Sequence, residues 1–141
     1  MKGFLLDTNI LSELRKGARA DANVRRWFER VDENSIFLSV LVTGEIRRGI
    51  EAIRKRDPRA ATALERWLDS VMQAHSDRVL PVDAAAADEW GRLDARGSLP
   101  VVDGLLAATA RVHDLTLVTR NVKDVVRTGI DVLDPFASTT P

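Results

Sequence analysis

Short apolar runs that stop at polar residues recur along this chain, and between them apolar residues return at helical spacing. Phe4-Leu5-Leu6 is the first run, and it ends at Asp7. A run of that length bounded by a polar turn reads as a strand buried on both faces. Asp7, Thr8 and Asn9 then sit where the strand gives way to a helix from Ile10 to about Arg15. Asp21 is placed to cap a second helix whose apolar stripe is Val24, Trp27, Phe28 and Val31. Ile36-Phe37-Leu38 predicts a second strand, and Ser39 an N-cap for a helix to about Arg56 with Val42, Ile46, Ile50 and Ile53 inward. Asp57-Pro58 breaks that helix, because the residue before proline avoids helical geometry while proline suits a helix start. Leu64, Trp67, Leu68, Val71 and Met72 then mark a helix from about Arg59 to Ala74, which forms a hairpin with its predecessor.

Val79-Leu80-Pro81-Val82 is a weaker strand, and its proline belongs at a sheet edge. Asp83 caps a helix with Ala86, Trp90 and Leu93 inward, ended by Gly97. An alanine-rich helix follows from Val101-Val102-Asp103 to about His113, then the clearest strand, Leu115 to Thr119. Arg120 to Gly129 is a polar loop with one helical turn, Ile130 to Leu133 a fifth strand, and residues from Pro135 onward a tail. Alternating strands and helices predict an α/β fold of three layers, a small, mostly parallel sheet of about five strands between helices. The 141 residues suit one domain, residues 1–141 with 136–141 as its tail.

Composition narrows the chemistry. Lys plus Arg and Asp plus Glu both number 21, so no overall basic field advertises a nucleic acid. There is no cysteine, which excludes disulfides and thiolate zinc sites and fits a reducing compartment. No stretch approaches the roughly 20 apolar residues of a membrane span, and the N-terminal apolar run is too short for a signal peptide. A soluble, cytoplasmic protein without a membrane partner is the expectation.

Three acids fall at comparable points of this framework. Asp7 ends strand one, Glu45 lies about a turn and a half inside the helix after strand two, and Asp103 opens the helix that feeds strand four. Strand four ends in Thr119-Arg120-Asn121, with Asp124 three residues on. A parallel sheet gathers such ends on one edge, where ligands of open α/β sheets bind. Each acid also has a plain structural role available: Asp103 as an N-cap, Glu45 as a residue flanking an apolar stripe. Asp7 is harder to dismiss, because a carboxylate among apolar strand residues needs a partner. Clustered carboxylates repel, and a hard divalent cation relieves them; an oxygen-only set points to Mg²⁺ or Mn²⁺ rather than zinc. Such an ion acidifies a bound water and stabilises an in-line phosphoryl displacement. His113 and His75 end helices, neither Ser12 nor Ser39 has a neighbouring histidine, and there is no Gly-rich phosphate loop.

Phe4-Leu5-Leu6-Asp7-Thr8-Asn9-Ile10-Leu11-Ser12-Glu13-Leu14 resembles the opening motif of PIN-domain proteins, and Ser39 to Gly49 resembles the second. Asp103-Gly104-Leu105-Leu106-Ala107-Ala108-Thr109-Ala110 and Leu117-Val118-Thr119-Arg120-Asn121 resemble the third and fourth. The likeness runs over about residues 3 to 136 and is nearest in appearance to the VapC-type toxins of toxin–antitoxin pairs, FitB-like members included. It implies a Mg²⁺- or Mn²⁺-dependent ribonuclease, a homodimer, restrained by a small VapB-like antitoxin. On it, Asp7, Glu45 and Asp103 match the metal-binding acids. Asn121 stands where some members carry a fourth acid, a role Asp124 would otherwise take. Thr8, Asn9 and Thr119 match polar positions that orient ligands or waters. Arg47 and Arg48, beside Glu45, and Arg120 and Lys123, beside Asn121, are candidate contacts to RNA phosphates, whereas Arg54-Lys55-Arg56 reads as a solvated face. Trp27, Trp67 and Trp90 all lie on core stripes, so no base-stacking platform is evident.

Two rivals stand beside this. One is a non-catalytic PIN-like module that holds RNA or a protein through a vestigial site, which Asn121 favours. The other is a phosphatase or phospho-acceptor domain, which would want a second Asp next to Asp7 or two residues on; Leu6 and Asn9 occupy those positions.

Overall fold

The computed structural model describes residues 2–137. Five strands, β1 (Phe4–Leu6), β2 (Ile36–Ser39), β3 (Val79–Leu80), β4 (Thr116–Val118) and β5 (Val132–Leu133), form one sheet. Around it lie α1 (Thr8–Leu14), α2 (Ala22–Arg30), α3 (Val40–Arg54), α4 (Pro58–Ala74), α5 (Ala84–Asp94), α6 (Val101–Val112) and the short α7 (Val122–Val125). Every strand pair is parallel, so the mostly parallel sheet expected is entirely parallel.

The strand order is β3-β2-β1-β4-β5. The chain therefore steps outward from β1 through β2 to β3, then returns to the other side of β1 for β4 and β5. With right-handed crossovers, this reversal puts the connecting helices on opposite faces. The packing agrees: α1 touches α2 and α3, and α3 touches α4, whereas α5 packs on α6 and α6 on α7. The result is a three-layer α/β/α domain. Its reversal point lies between β1 and β4, paired in the register Phe4 to Thr116, Leu5 to Leu117 and Leu6 to Val118.

Local chemistry sets the element ends. Asp21, Ser39 and Asp83 accept backbone N–H groups at the starts of α2, α3 and α5, as their positions predict. Asp7 does the same for α1, which consequently begins at Thr8 rather than at Ile10. The strands are shorter than the apolar runs: Pro81 lies beyond β3, at the sheet edge, and Ile130 precedes β5. Leu5, Leu6, Leu38, Leu117 and Val118 are fully buried between the layers, joined by Ile10, Val24, Val42, Ile50 and Leu106 from the helices. Their burial supplies most of the driving force, at about 25 cal/mol per Å² of apolar surface. His75, expected on a surface helix, is buried at the end of α4; its Nδ1 lies 2.9 Å from the Val71 carbonyl oxygen. Pro135 is buried and Phe136, expected to begin the tail, packs against the core. Residues 138–141 of the expected tail lie outside the described residues.

Candidate functional site

The site is built where the sheet reverses. Asp7 follows β1 directly, and its N–H still donates to the Val118 carbonyl of β4 at 2.9 Å. Its side chain is only 8% exposed. One carboxylate oxygen accepts from the Thr8 N–H at 2.7 Å; the other accepts from the Thr119 hydroxyl at 2.8 Å and from the Asn9 amide at 3.3 Å. Thus the partners that a buried carboxylate requires are all neutral donors.

Thr119, fully buried just after β4, is the hub. While its Oγ1 donates to Asp7, it accepts the Asn121 N–H at 3.0 Å. Its own N–H donates to the Leu133 carbonyl at 3.0 Å, which locks it to β5. Asn9 ties the same strand end to α1 by accepting the Arg120 N–H on its Oδ1 at 3.2 Å. Glu45 projects from the second turn of α3 and receives the Thr8 hydroxyl at 2.6 Å.

Asp103 is not the N-cap of α6. Pro100 holds that position and makes no side-chain cap bond, while Asp103 lies inside the first turn. Relieved of a capping role, it sits in the field of the other acids. Burial, and then the charges of Asp7, Glu45 and Asp124 in that order, push its carboxyl above the ordinary carboxylate range. Asn121 donates its side-chain amide to Asp103 at 3.5 Å, a long contact. Asp124, exposed on α7, contributes charge to the cluster.

Among the described residues, none of Asp7, Glu45, Asp103 and Asp124 forms an ion pair. Four carboxylates thus share one edge of the sheet without a cationic partner among the described residues, and their mutual repulsion is left unrelieved there. The donors are all oxygens, as Mg²⁺ and Mn²⁺ prefer. Neither histidine joins them: His75 is in the core, and His113 borders an open polar cleft with Lys2, Asp32 and Asp114 near the start of β1. Among the described residues no three acids or histidines already converge tightly enough to enclose an ion. The residues fit a divalent cation by charge and donor type, with the carboxylates held apart on neutral donors.

The basic candidates divide. Arg47 reaches across to α4, where it pairs with Glu65 and, at 3.4 Å, with Glu51 of its own helix. Arg54 joins the same network at 2.9 Å from Glu51 and 3.1 Å from Glu65. These arginines pin α3 to α4, so Arg47 is structural rather than a substrate contact, and Arg54 is engaged rather than simply solvated. Arg48, Arg120 and Lys123 are exposed and make no ion pair among the described residues. Sequence reasoning missed Phe136, whose ring lies under the Arg120 guanidinium at 4.3 Å. Only its aromatic character beyond the last strand hinted at a docked residue.

Residues 4–128 match the family model of the PIN domain. The chain belongs to the PIN-domain family. It is 31% identical to the VapC ribonuclease Y4jK of Sinorhizobium fredii over 138 residues, 94% of this chain and 97% of that protein. It is 26% identical to Toxin FitB of Neisseria gonorrhoeae over 138 residues, 94% and 98% of the two. The crystal structure of FitAcB from Neisseria gonorrhoeae superposes with a TM-score of 0.88 at 25% identity, covering 96% of this chain and 99% of that one. Within the matched span the three acids stand directly after β1, in the second turn of α3 and in the first turn of α6.

Proposed function

We propose that this PIN domain is a Mg²⁺- or Mn²⁺-dependent endoribonuclease and the toxin of a toxin–antitoxin pair, restrained by a small cognate antitoxin and acting as a homodimer. The observation that carries the nuclease reading is the placement of Asp7, Glu45 and Asp103 along one sheet edge, the first two linked through Thr8 and with no ion pair to any of the three among the described residues. The relatives named VapC ribonuclease and Toxin FitB support the RNA substrate and the toxin role, and the likeness to FitAcB supports a partner chain.

Asp7, Glu45 and Asp103 would hold the ion. Bound there, it would supply a water acidified toward neutral pH and charge to stabilise a phosphorane-like transition state. The chain's own residues prepare the place. Thr119 and Asn9 fix one oxygen of Asp7, the Thr8 N–H fixes the other, and the Thr8 hydroxyl fixes Glu45. Such supporting bonds hold ligands in their binding orientation and are worth about 10- to 100-fold in metal affinity. Arg120 and Lys123 on the rim would take substrate phosphates, which position an RNA without reading its bases.

The test is cleavage of structured RNA by the purified chain with Mg²⁺ or Mn²⁺, alongside Asp7→Asn and a calorimetric titration of each ion. The expected result is loss of cleavage and of ion binding together. Undiminished cleavage by Asp7→Asn would remove the assignment. A second reading, a PIN-fold RNA- or protein-binding module with a vestigial site, is favoured by Asn121 in the fourth acidic position and by the unconverged acids. It predicts weak ion binding and no turnover by the wild-type chain.

A further inference from the structure

We propose that Phe136 is a positioning residue for Arg120, holding its guanidinium off the acidic cluster and ready for a phosphate of the RNA; this rests on the ribonuclease reading above. Arg120 is exposed, and it follows the hub residue Thr119 directly. Its backbone is tied through Asn9 to the Asp7 side chain, so an unrestrained guanidinium at this point of the chain would be drawn toward the acids of the edge. That swing would neutralise charge needed for a cation and withdraw an arginine that borders the site from the substrate. Yet Arg120 pairs with none of the four acids. Glu13 is near enough to feel its charge, but no ion pair forms.

Two restraints account for this. The Arg120 N–H is bound to Asn9 Oδ1 at 3.2 Å, and the Asn9 amide donates to Asp7 at 3.3 Å, so one side chain spans from Asp7 to the Arg120 backbone. At the far end, the guanidinium carbon lies 4.3 Å from the centroid of the Phe136 ring, well inside cation–π range. The ring is itself anchored. Pro135 before it is buried, the Phe136 carbonyl accepts the Asn23 amide of α2 at 2.9 Å, and its N–H donates to Asp134 Oδ1 at 2.9 Å. Phe136 is half-buried: it packs against the core and also presents its ring face to the guanidinium. Stacking leaves the guanidinium N–H groups at its rim free for the bidentate grip that arginine makes on phosphate.

The experiment measures RNA cleavage and RNA binding against salt for the full chain and for Arg120→Ala, Phe136→Leu, Phe136→Trp and the Arg120→Ala/Phe136→Leu pair. Leucine keeps apolar packing and removes the ring face, so the comparison survives if a smaller residue would unfold the segment. Urea midpoints check that each variant is folded. Arg120→Ala is expected to raise KM more than it lowers kcat and to reduce the salt slope of binding by about 1, as loss of one phosphate contact does. Phe136→Leu should raise KM about two- to fivefold with kcat nearly unchanged, the fold-change equivalent to an exposed cation–π contact. Phe136→Trp should restore wild-type KM, and the double variant should be no worse than Arg120→Ala alone. Wild-type KM in Phe136→Leu, or independent penalties that multiply in the double variant, would overturn the role while leaving the nuclease intact. A wild-type chain that neither binds nor cuts RNA would overturn both.

Discussion

Replacing Thr119 with valine tests whether the hub hydroxyl holds the site together. Valine has the same shape, so packing around this fully buried residue is kept and only the hydroxyl is lost. Two consequences follow from the distances. The Asp7 carboxylate loses the 2.8 Å bond to its Oδ2, a hydrogen bond to a charged acceptor worth about 1.5–3 kcal/mol. The Asn121 N–H loses its acceptor at 3.0 Å, though as a part-buried group it recovers most of that from water. Asp7 keeps its bonds from Thr8 and Asn9, which limits the damage, and the extra methyl returns up to about 0.8 kcal/mol. The net expectation is a loss of about 2 kcal/mol, a fall in Tm of roughly 6 °C for a chain of this size. Thr119→Ser is the control. It keeps the hydroxyl and deletes a buried methyl, at about 1 kcal/mol. Urea unfolding should therefore rank wild type above Thr119→Ser, and Thr119→Ser above Thr119→Val. If apolar burial dominated here instead, valine would equal or exceed wild type and serine would be the weakest. Finding that order would refute the hub.

Two further predictions follow from the same neighbourhood. Asp103→Asn should stabilise the fold at neutral pH while abolishing stabilisation by added Mg²⁺ or Mn²⁺. Its carboxyl is raised by burial and by Asp7, Glu45 and Asp124, so the folded state holds this proton more tightly than the unfolded chain does. The stability this group contributes is complete below its ordinary pKa and is lost as pH rises through the raised value, so the advantage of asparagine should shrink as pH falls from 7 toward 4. Urea midpoints at several pH values check this, and a constant difference would contradict it. Gly104→Ala should destabilise: a Cβ there would lie 2.9 Å from both Cδ1 and Nε1 of the Trp90 ring. Overpacking of about 1–3 kcal/mol outweighs the roughly 1 kcal/mol that alanine gains over glycine in a helix. Thermal unfolding should show recovery in Gly104→Ala combined with Trp90→Leu; no recovery would place the strain elsewhere.

The elements were legible in the chain because their signals are local. Apolar runs ending at Asp7 and Ser39, and caps such as Asp21 and Asp83, depend on neighbours within a few residues, and each does what its position predicts. Errors arose where a local signal had two outcomes. An acid at a helix start suits a cap, but Asp103 lies within the first turn of α6 because Pro100 takes the N-cap position. A basic residue beside Glu45 suits a phosphate, but Arg47 meets Glu65 of α4 first. His75 looked like a surface helix end, yet it is buried at the C-cap of α4, with Nδ1 2.9 Å from the Val71 carbonyl oxygen, while Gln73 and Ala74 before it are exposed.

By itself, the chain's order of residues determined which segments are strands and helices, that the sheet is parallel, and which acids stand at strand ends and helix starts. Only the tertiary structure decided that the sheet reverses between β1 and β4, setting Asp7 against Thr119 and placing Asp103 within the field of Glu45 and Asp124. It alone brought Phe136 beneath Arg120. The physical reason is that periodicity records which face of an element avoids water, whereas the partner that covers the face is chosen by the packing of the whole chain.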